Sequence, residues 1–267
     1  MIHGDTRMAP EGMDTYGSRS LVIGGVAVQH AAERVVEKAR AIAAHQLECD
    51  PNDLEFVAGT FRVKGTPGAE RTIQAVAFEA FTSHNLPDHI EPTLHANAHM
   101  DPQSFSYPHG THLCAVEVDT ETGAVALRSY VAVDDIGNVV NPLIVEGQVH
   151  GGIAQGIAQA LYEEAVYDAD GNLVTGTMVD YLVPSAADLI DFTTDRTVTP
   201  STTNPLGVKG VGEAGTIAST PAVVNAVVDA LRPLGIDDVR MPCSPQAVWR
   251  AIQEAGSTGS AADGGAS

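Results

Sequence analysis

Between Gly147 and Gln159 the chain repeats amide and small residues at helical spacing. Gln148, Gly152, Gln155 and Gln159 fall at i, i+4, i+7 and i+11 and share one helix face. Gly147, Gly151, Gly152 and Gly156 lie in the same stretch, and each helical glycine costs about 1 kcal/mol relative to alanine. A helix carrying them, expected over Gly147 to Glu164, therefore needs compensation. Close packing of another backbone supplies it, with the glutamines at the solvent edge, and so does a ligand lying along the helix.

Around this stretch, strand and helix signals interleave without regular βαβ spacing, so the expected fold class is α+β, with layered sheet-and-helix subdomains. A long Ala- and Val-rich helix is expected over Leu21 to Glu48, with Ser18 and Ser20 as candidate caps. A hairpin of Leu54–Val57 with Phe61–Val63 should turn around Ala58-Gly59-Thr60, followed by a helix over Thr72 to Thr82. Ser83 to Pro108, rich in His, Pro and Asn, reads as a long connection.

Leu113–Val118 and Ala124–Val133 alternate like paired strands, and Asp134 to Pro142 reads as a polar loop. Ala165–Tyr167 and Leu173–Thr175 flank a hairpin turn, and Asp191 to Val198 is a further strand candidate. Pro221 is placed to open a helix to about Leu231, and Ser244-Pro245 to open one ending near Glu254. These elements suggest subdomains over residues 1–112 and 113–256 and a flexible Gly/Ser/Ala tail over 257–267.

Fourteen Lys plus Arg against thirty-four Asp plus Glu give a net charge of −20, which repels a phosphate backbone and excludes nucleic acid as an expected partner. No apolar run of spanning length and no charged-then-apolar leader is evident, so no membrane span and a cytoplasmic location are expected. Cys49, Cys114 and Cys243 are too far apart for the closely spaced thiolates of a zinc or iron–sulfur site.

Three constellations invite chemistry. Gly210-Val211-Gly212-Glu213-Ala214-Gly215 matches a dinucleotide-binding G-x-G-x-x-G, but Thr203-Asn204-Pro205-Leu206-Gly207 is not the apolar strand that must precede one. Glu213 would also put a carboxylate where a pyrophosphate approaches. A carboxylate between glycines, partly desolvated, suits a general base with a raised pKa; an exposed loop acid fits the spacing as readily.

Thr15-Tyr16-Gly17-Ser18-Arg19-Ser20 sets hydroxyls and a guanidinium just before a long helix, an arrangement suited to a phosphate-bearing ligand or to plain serine capping. His95 with His99, and His109 with His112, lack the Glu of an H-E-x-x-H and an obvious third ligand, and their Pro- and Asn-rich surroundings read as loop. No metal ligand is assigned to the chain.

Several runs, in order, carry a family resemblance. They are His3-Gly4-Asp5-Thr6 with Thr15 to Ser20, Asp134-Asp135-Ile136-Gly137 leading to Asn141-Pro142, Gly147-Gln148-Val149-His150-Gly151-Gly152, and Asn204-Pro205-Leu206-Gly207-Val208-Lys209-Gly210-Val211-Gly212-Glu213. Met241-Pro242 and Val248-Trp249 add a less specific match. From about His3 to Ala255 the chain resembles the molybdenum-binding large subunit of the xanthine oxidase family, nearest its aerobic carbon monoxide dehydrogenase-type members.

The resemblance implies molybdenum with molybdopterin cytosine dinucleotide as cofactor. Thr15, Tyr16, Gly17, Ser18, Arg19 and Ser20 would hold its dinucleotide end, Gln148 would lie against it near the metal, and Lys209, Gly210 and Gly212 would line it. Glu213 would be the base, taking a proton as an oxygen nucleophile forms and attacks an electron-poor small-molecule substrate. Electrons would leave through iron–sulfur and FAD subunits.

Family large subunits are several times longer, and the segments that normally precede the His3 run, with the substrate-facing loop, are absent. The expectation is a C-terminal part that needs the N-terminal part of the large subunit as a separate chain and is inactive alone. A non-catalytic remnant, or a structural module that binds a related large subunit, is the alternative.

Overall fold

The computed structural model describes residues 5–8, 12, 14–102 and 104–263, the last six by backbone alone; His3 and Gly4 of the first matching run and residues 264–267 lie outside. The chain divides into two units, one of Met1–Met13 with Ile23–Gln103 and one of Asp14–Val22 with Ser104–Ser267. The mixed architecture is the α+β class expected.

A π-helical turn at Leu21–Gly25 precedes helix α1 (Val26–Gln46), which belongs to the first unit. Ala39, Ile42 and Ala43, at i, i+3 and i+4, form one fully buried face. They join a core with Leu54, Phe61, Val76 and Ala80. The hairpin of β1 (Leu54–Val57) and β2 (Thr60–Val63) is tighter than read, because Thr60 belongs to the strand. Ala58 and Gly59, at φ 49° and 77°, make the two-residue turn with positive φ that matches strand twist.

A third strand missed in the sequence, β3 (Glu70–Thr72), pairs with β2. Its last residue, Thr72, caps α2 (Ile73–Thr82) by accepting the Ala75 N–H at 3.2 Å. Between Ser83 and Pro108 no helix or strand occurs among the described residues.

The second unit carries a sheet of β4 (His109–Val118), β5 (Val125–Asp135) and β6 (Thr193–Thr197), in that order. β4 and β5 are antiparallel, and β6 runs parallel to β5. Helices α3 (Pro142–Leu161), α4 (Ala214–Leu231) and α5 (Pro245–Asp263) complete it. Ile153, Ile157, Val223, Val227 and Leu231 are fully buried in one core, each stabilising by about 1.5–3 kcal/mol.

Close packing accounts for part of the α3 glycine pattern. A Cβ on Gly152 would lie 2.8 Å from the Gly215 Cα of α4, and one on Gly156 would lie 2.8 Å from the Ser219 Cβ. Gly147 and Gly151 face open space. Gln148, Gln155 and Gln159 are exposed, so one side of the helix packs while the other is presented.

Several boundaries differ from expectation, for identifiable reasons. α3 starts at Pro142 because the Asn141 side chain accepts from the Leu143 and Ile144 N–H groups. α4 starts at Ala214, with Pro221 inside it instead of opening it. An interior proline costs a helix about 3 kcal/mol, which the packing of α4 on α3 outweighs; Thr220 Oγ1 donates to the Gly156 carbonyl at 3.3 Å across that contact. α5 continues past Glu254 to Asp263, so the described part of the expected tail is helical.

The hairpin near Asp168 reduces to a single bridge of Tyr167 with Leu173. His109 and His112, read as loop, lie in β4. The segment Ala214–Leu234, with a mean hydropathy of 1.3, is long and apolar enough to cross a membrane, contrary to expectation. Its Val223, Val227 and Leu231 are spent in the core of the second unit.

Candidate functional site

The loop that ends in Glu213 is built from the sheet outward. β5 ends at Asp135, and the chain then turns back so that Gly137 bridges to Val208 and Lys209 N–H donates to the Ile136 carbonyl at 2.8 Å. Asn204 closes the following loop on itself. Its Nδ2 donates to the Val208 carbonyl at 2.9 Å and its Oδ1 accepts the Val208 N–H at 3.2 Å.

Lys209 was expected among cofactor-lining residues, but its side chain faces inward. Nζ lies 2.9 Å from Asp135 Oδ1, and both groups are buried. Burial alone would raise the Asp135 pKa, but hydrogen bonds from Lys209 and the Gly137 N–H outweigh it and hold the carboxyl below the ordinary range. The pair fixes the root of the loop four residues before Glu213.

Glu213 stands at the N-terminus of α4 and is clasped by Ser18. The Ser18 hydroxyl donates to Glu213 Oε2 at 2.9 Å and accepts the Glu213 N–H at 2.9 Å. Gly210 and Gly212 make this approach possible. A Cβ on Gly210 would come within 2.7 Å of the Ser18 carbonyl carbon, and one on Gly212 would lie 3.2 Å from Ser18 Oγ and 3.7 Å from Gln148 Nε2. Ser18, Gly210, Gly212, Glu213 and Gln148 are thus brought together, and the contact of Ser18 with Glu213 joins two runs that the sequence reading kept apart.

The carboxylate is exposed, not desolvated as expected of a base. Among the described residues, neither the Gln148 side-chain amide nor the N–H groups of Gly210, Val211 and Gly212 have a hydrogen-bond partner. These donors and one carboxylate make an open polar surface at a helix N-terminus, able to donate hydrogen bonds to ligand oxygen atoms and to accept a proton.

Ser18 and Ser20 do not cap the helix that follows them. Thr15 Oγ1 and Ser20 Oγ are 2.5 Å apart. The Arg19 guanidinium lies 3.9 Å over the Tyr16 ring and donates through Nη2 to the Asp14 carbonyl at 2.6 Å. Gly17 and Ser18 both have positive φ, 58° and 54°, which turns the strap so that Ser18 meets the loop.

A separate cavity of about 190 Å³ between β5, β6 and α3 is lined by Asp134, Glu146, Thr194, Asp195 and Arg196. It includes neither Glu213 nor Gln148, and is smaller than the roughly 300 Å³ at which small-molecule pockets begin. Nearby, His112 donates or accepts through Nδ1 with the Tyr130 hydroxyl at 2.9 Å, and its Nε2 lies 3.3 Å from Asp134. This buried network had no sequence signal beyond the His pair.

His95 Nδ1 pairs with Thr93 Oγ1 at 2.6 Å. Among the described residues no three His, Cys, Asp or Glu side chains gather as metal ligands. Burial pushes the Cys114 and Cys243 thiols up to about 11, so they stay protonated near neutral pH.

Residues 1–190 match the molybdopterin cofactor-binding domain family. The chain is 42% identical over 251 residues to the carbon monoxide dehydrogenase large chain of Hydrogenophaga pseudoflava, covering 94% of this chain and 31% of that protein. It is 39% identical over 257 residues to the 6-hydroxypseudooxynicotine dehydrogenase complex subunit gamma of Paenarthrobacter nicotinovorans, covering 95% and 32%. The solved structure of reconstituted CO dehydrogenase from Oligotropha carboxidovorans superposes with a TM-score of 0.87 at 39% identity, over 95% of this chain and 31% of that one. The chain therefore spans about a third of the length of the relatives it matches.

Proposed function

The chain belongs to the molybdopterin cofactor-binding domain family and matches about a third of the length of xanthine oxidase-type large subunits, and from this premise we propose that it is the base-bearing part of a molybdenum hydroxylase, with Glu213 as general base. The observation that carries the reading is the clasp that fixes Glu213 beside the unpartnered amide of Gln148 and the free N–H groups of Gly210 to Gly212. That donor set fits a pterin cofactor rich in oxygen atoms.

When bound, the molybdenum cofactor supplies the oxidation itself. The Gln148 amide and the Gly210–Gly212 backbone would donate hydrogen bonds to it, and Thr15 to Ser20, through groups other than the Ser18 hydroxyl, would hold the dinucleotide end of its cytosine dinucleotide form. The Glu213 carboxylate would accept the proton that oxidation of an electron-poor carbon or of carbon monoxide releases. Lys209 acts from inside, through Asp135.

The exposure of Glu213 supports a site completed by further polypeptide. The proposed partners are the N-terminal part of the large subunit, an iron–sulfur subunit and an FAD subunit, assembled in the cytoplasm.

The test is Glu213→Gln in the complex assembled with those partners, which keeps size and hydrogen bonding but removes the base. Molybdenum content should stay full while turnover falls at least about a hundredfold. Retained turnover would show that Glu213 is not the base. A chain that stays monomeric and free of molybdenum when produced with its partners would leave the non-catalytic reading standing instead.

A further inference from the structure

The strap that the family resemblance gives to the cofactor's dinucleotide end contains one side chain pointed elsewhere. The Ser18 hydroxyl uses its donor on Glu213 Oε2 and an acceptor site on the Glu213 N–H, both at 2.9 Å, across 195 residues of sequence. Glu213 Oε1 has no hydrogen-bond partner among the described residues. One carboxylate oxygen is thus held while the other is left open.

The backbone is arranged for this contact. Ser18 sits at φ 54°, a left-handed conformation that is uncommon for non-glycine residues. Gly210 brings the loop against the Ser18 carbonyl at a distance no Cβ tolerates. A residue held in an unfavourable conformation and committed to a single carboxylate fits local strain used for preorganisation.

We propose that Ser18 is a positioning residue for Glu213, fixing the carboxylate through Oε2 and leaving Oε1 as the atom that takes the proton. This rests on Glu213 being the base. The clasp is made entirely from this chain's own residues, so it can orient the base without a contact from the cofactor. A glutamate on an exposed loop would otherwise sample many rotamers, and Ser18 selects one without contributing chemistry of its own.

Three variants test it. Ser18→Ala removes the hydroxyl, Ser18→Cys keeps a weaker donor, and Ser18→Gly removes the hydroxyl while relieving the left-handed strain. In the 267-residue chain, amide exchange at Glu213, followed by NMR, should speed up about tenfold in the Ala and Gly variants, the worth of one hydrogen bond. In the assembled enzyme, kcat should fall at least about tenfold with KM and molybdenum content kept, and Ser18→Cys should fall between.

A merely structural role would be met by glycine, so full activity in Ser18→Gly overturns the proposal. Unchanged exchange at Glu213 in both variants does so too, as does activity lost only in proportion to molybdenum. Glu213→Gln run alongside separates the two readings. If it is active, the base assignment fails; if it is inactive while Ser18→Ala and Ser18→Gly are fully active, only the positioning role fails.

Discussion

Lys209 and Asp135, 74 residues apart in sequence, meet inside the second unit with Nζ 2.9 Å from Oδ1 and side-chain exposures of 8% and 0%. Asp135 also accepts from the Gly137 N–H at 3.0 Å and the Thr197 hydroxyl at 3.1 Å. Breaking such a pair from one side leaves a buried charge uncompensated, so Lys209→Met should destabilise the chain by about 3–5 kcal/mol in urea unfolding. The double variant Lys209→Met with Asp135→Leu should cost less than Lys209→Met alone. A loss below about 1 kcal/mol for Lys209→Met would mean that the pair does not anchor the loop.

The same carboxylate sets an acid limit. Its folded-state pKa is depressed, so as pH falls the unfolded chain takes the proton first. The stabilisation is fully present above the unfolded value of about 4 and is lost progressively as pH falls below it. The stability difference between the wild type and Asp135→Asn should therefore hold steady from about pH 5 to 8 and shrink below about pH 4. A difference independent of pH down to about pH 3 would contradict the assignment.

Glycines five positions apart on α3 should respond differently to alanine. Gly152 has the Gly215 Cα and the Thr216 N each 2.8 Å from where a Cβ would stand, so Gly152→Ala must push α3 and α4 apart and should cost about 1–3 kcal/mol. Gly147 has nothing within 4 Å, and Gly147→Ala should stabilise the isolated chain by about 0.5–1 kcal/mol. Thermal unfolding of the two variants reads this directly, and equal effects would refute close helix packing as the reason for Gly152.

Local signals in the sequence were enough for the elements whose cause is local. The Ala58-Gly59 turn, the Thr72 helix start and the alternation in β4 and β5 are set by neighbours in the chain. Pro221 misled because its local preference to open a helix was overridden by packing of α4 on α3. At the site, Glu213, Gln148 and the strap were legible as motifs. Their connections were not, since no spacing rule pairs Ser18 with Glu213 or Lys209 with Asp135. The resemblance gave Lys209 to the cofactor, whereas its side chain turns inward to Asp135, a pairing that no local signal reports.

Gly210 should prove the least replaceable residue of the loop. Its Cβ would stand 2.7 Å from the Ser18 carbonyl carbon, which is backbone in a strained turn and has no rotamer to yield. Gly210→Ala must therefore lift the loop off Ser18. We expect a loss of about 1–3 kcal/mol together with faster amide exchange at Glu213. Gly212→Ala meets only the end of the Ser18 side chain at 3.2 Å, which can give by a few tenths of an ångström, so its cost should stay below about 1 kcal/mol with the clasp kept. Thermal unfolding and amide exchange on the same two samples separate the cases. If Gly210→Ala leaves the Glu213 amide as protected as in the wild type, the loop does not depend on close approach to Ser18, and the glycines serve the ligand side alone.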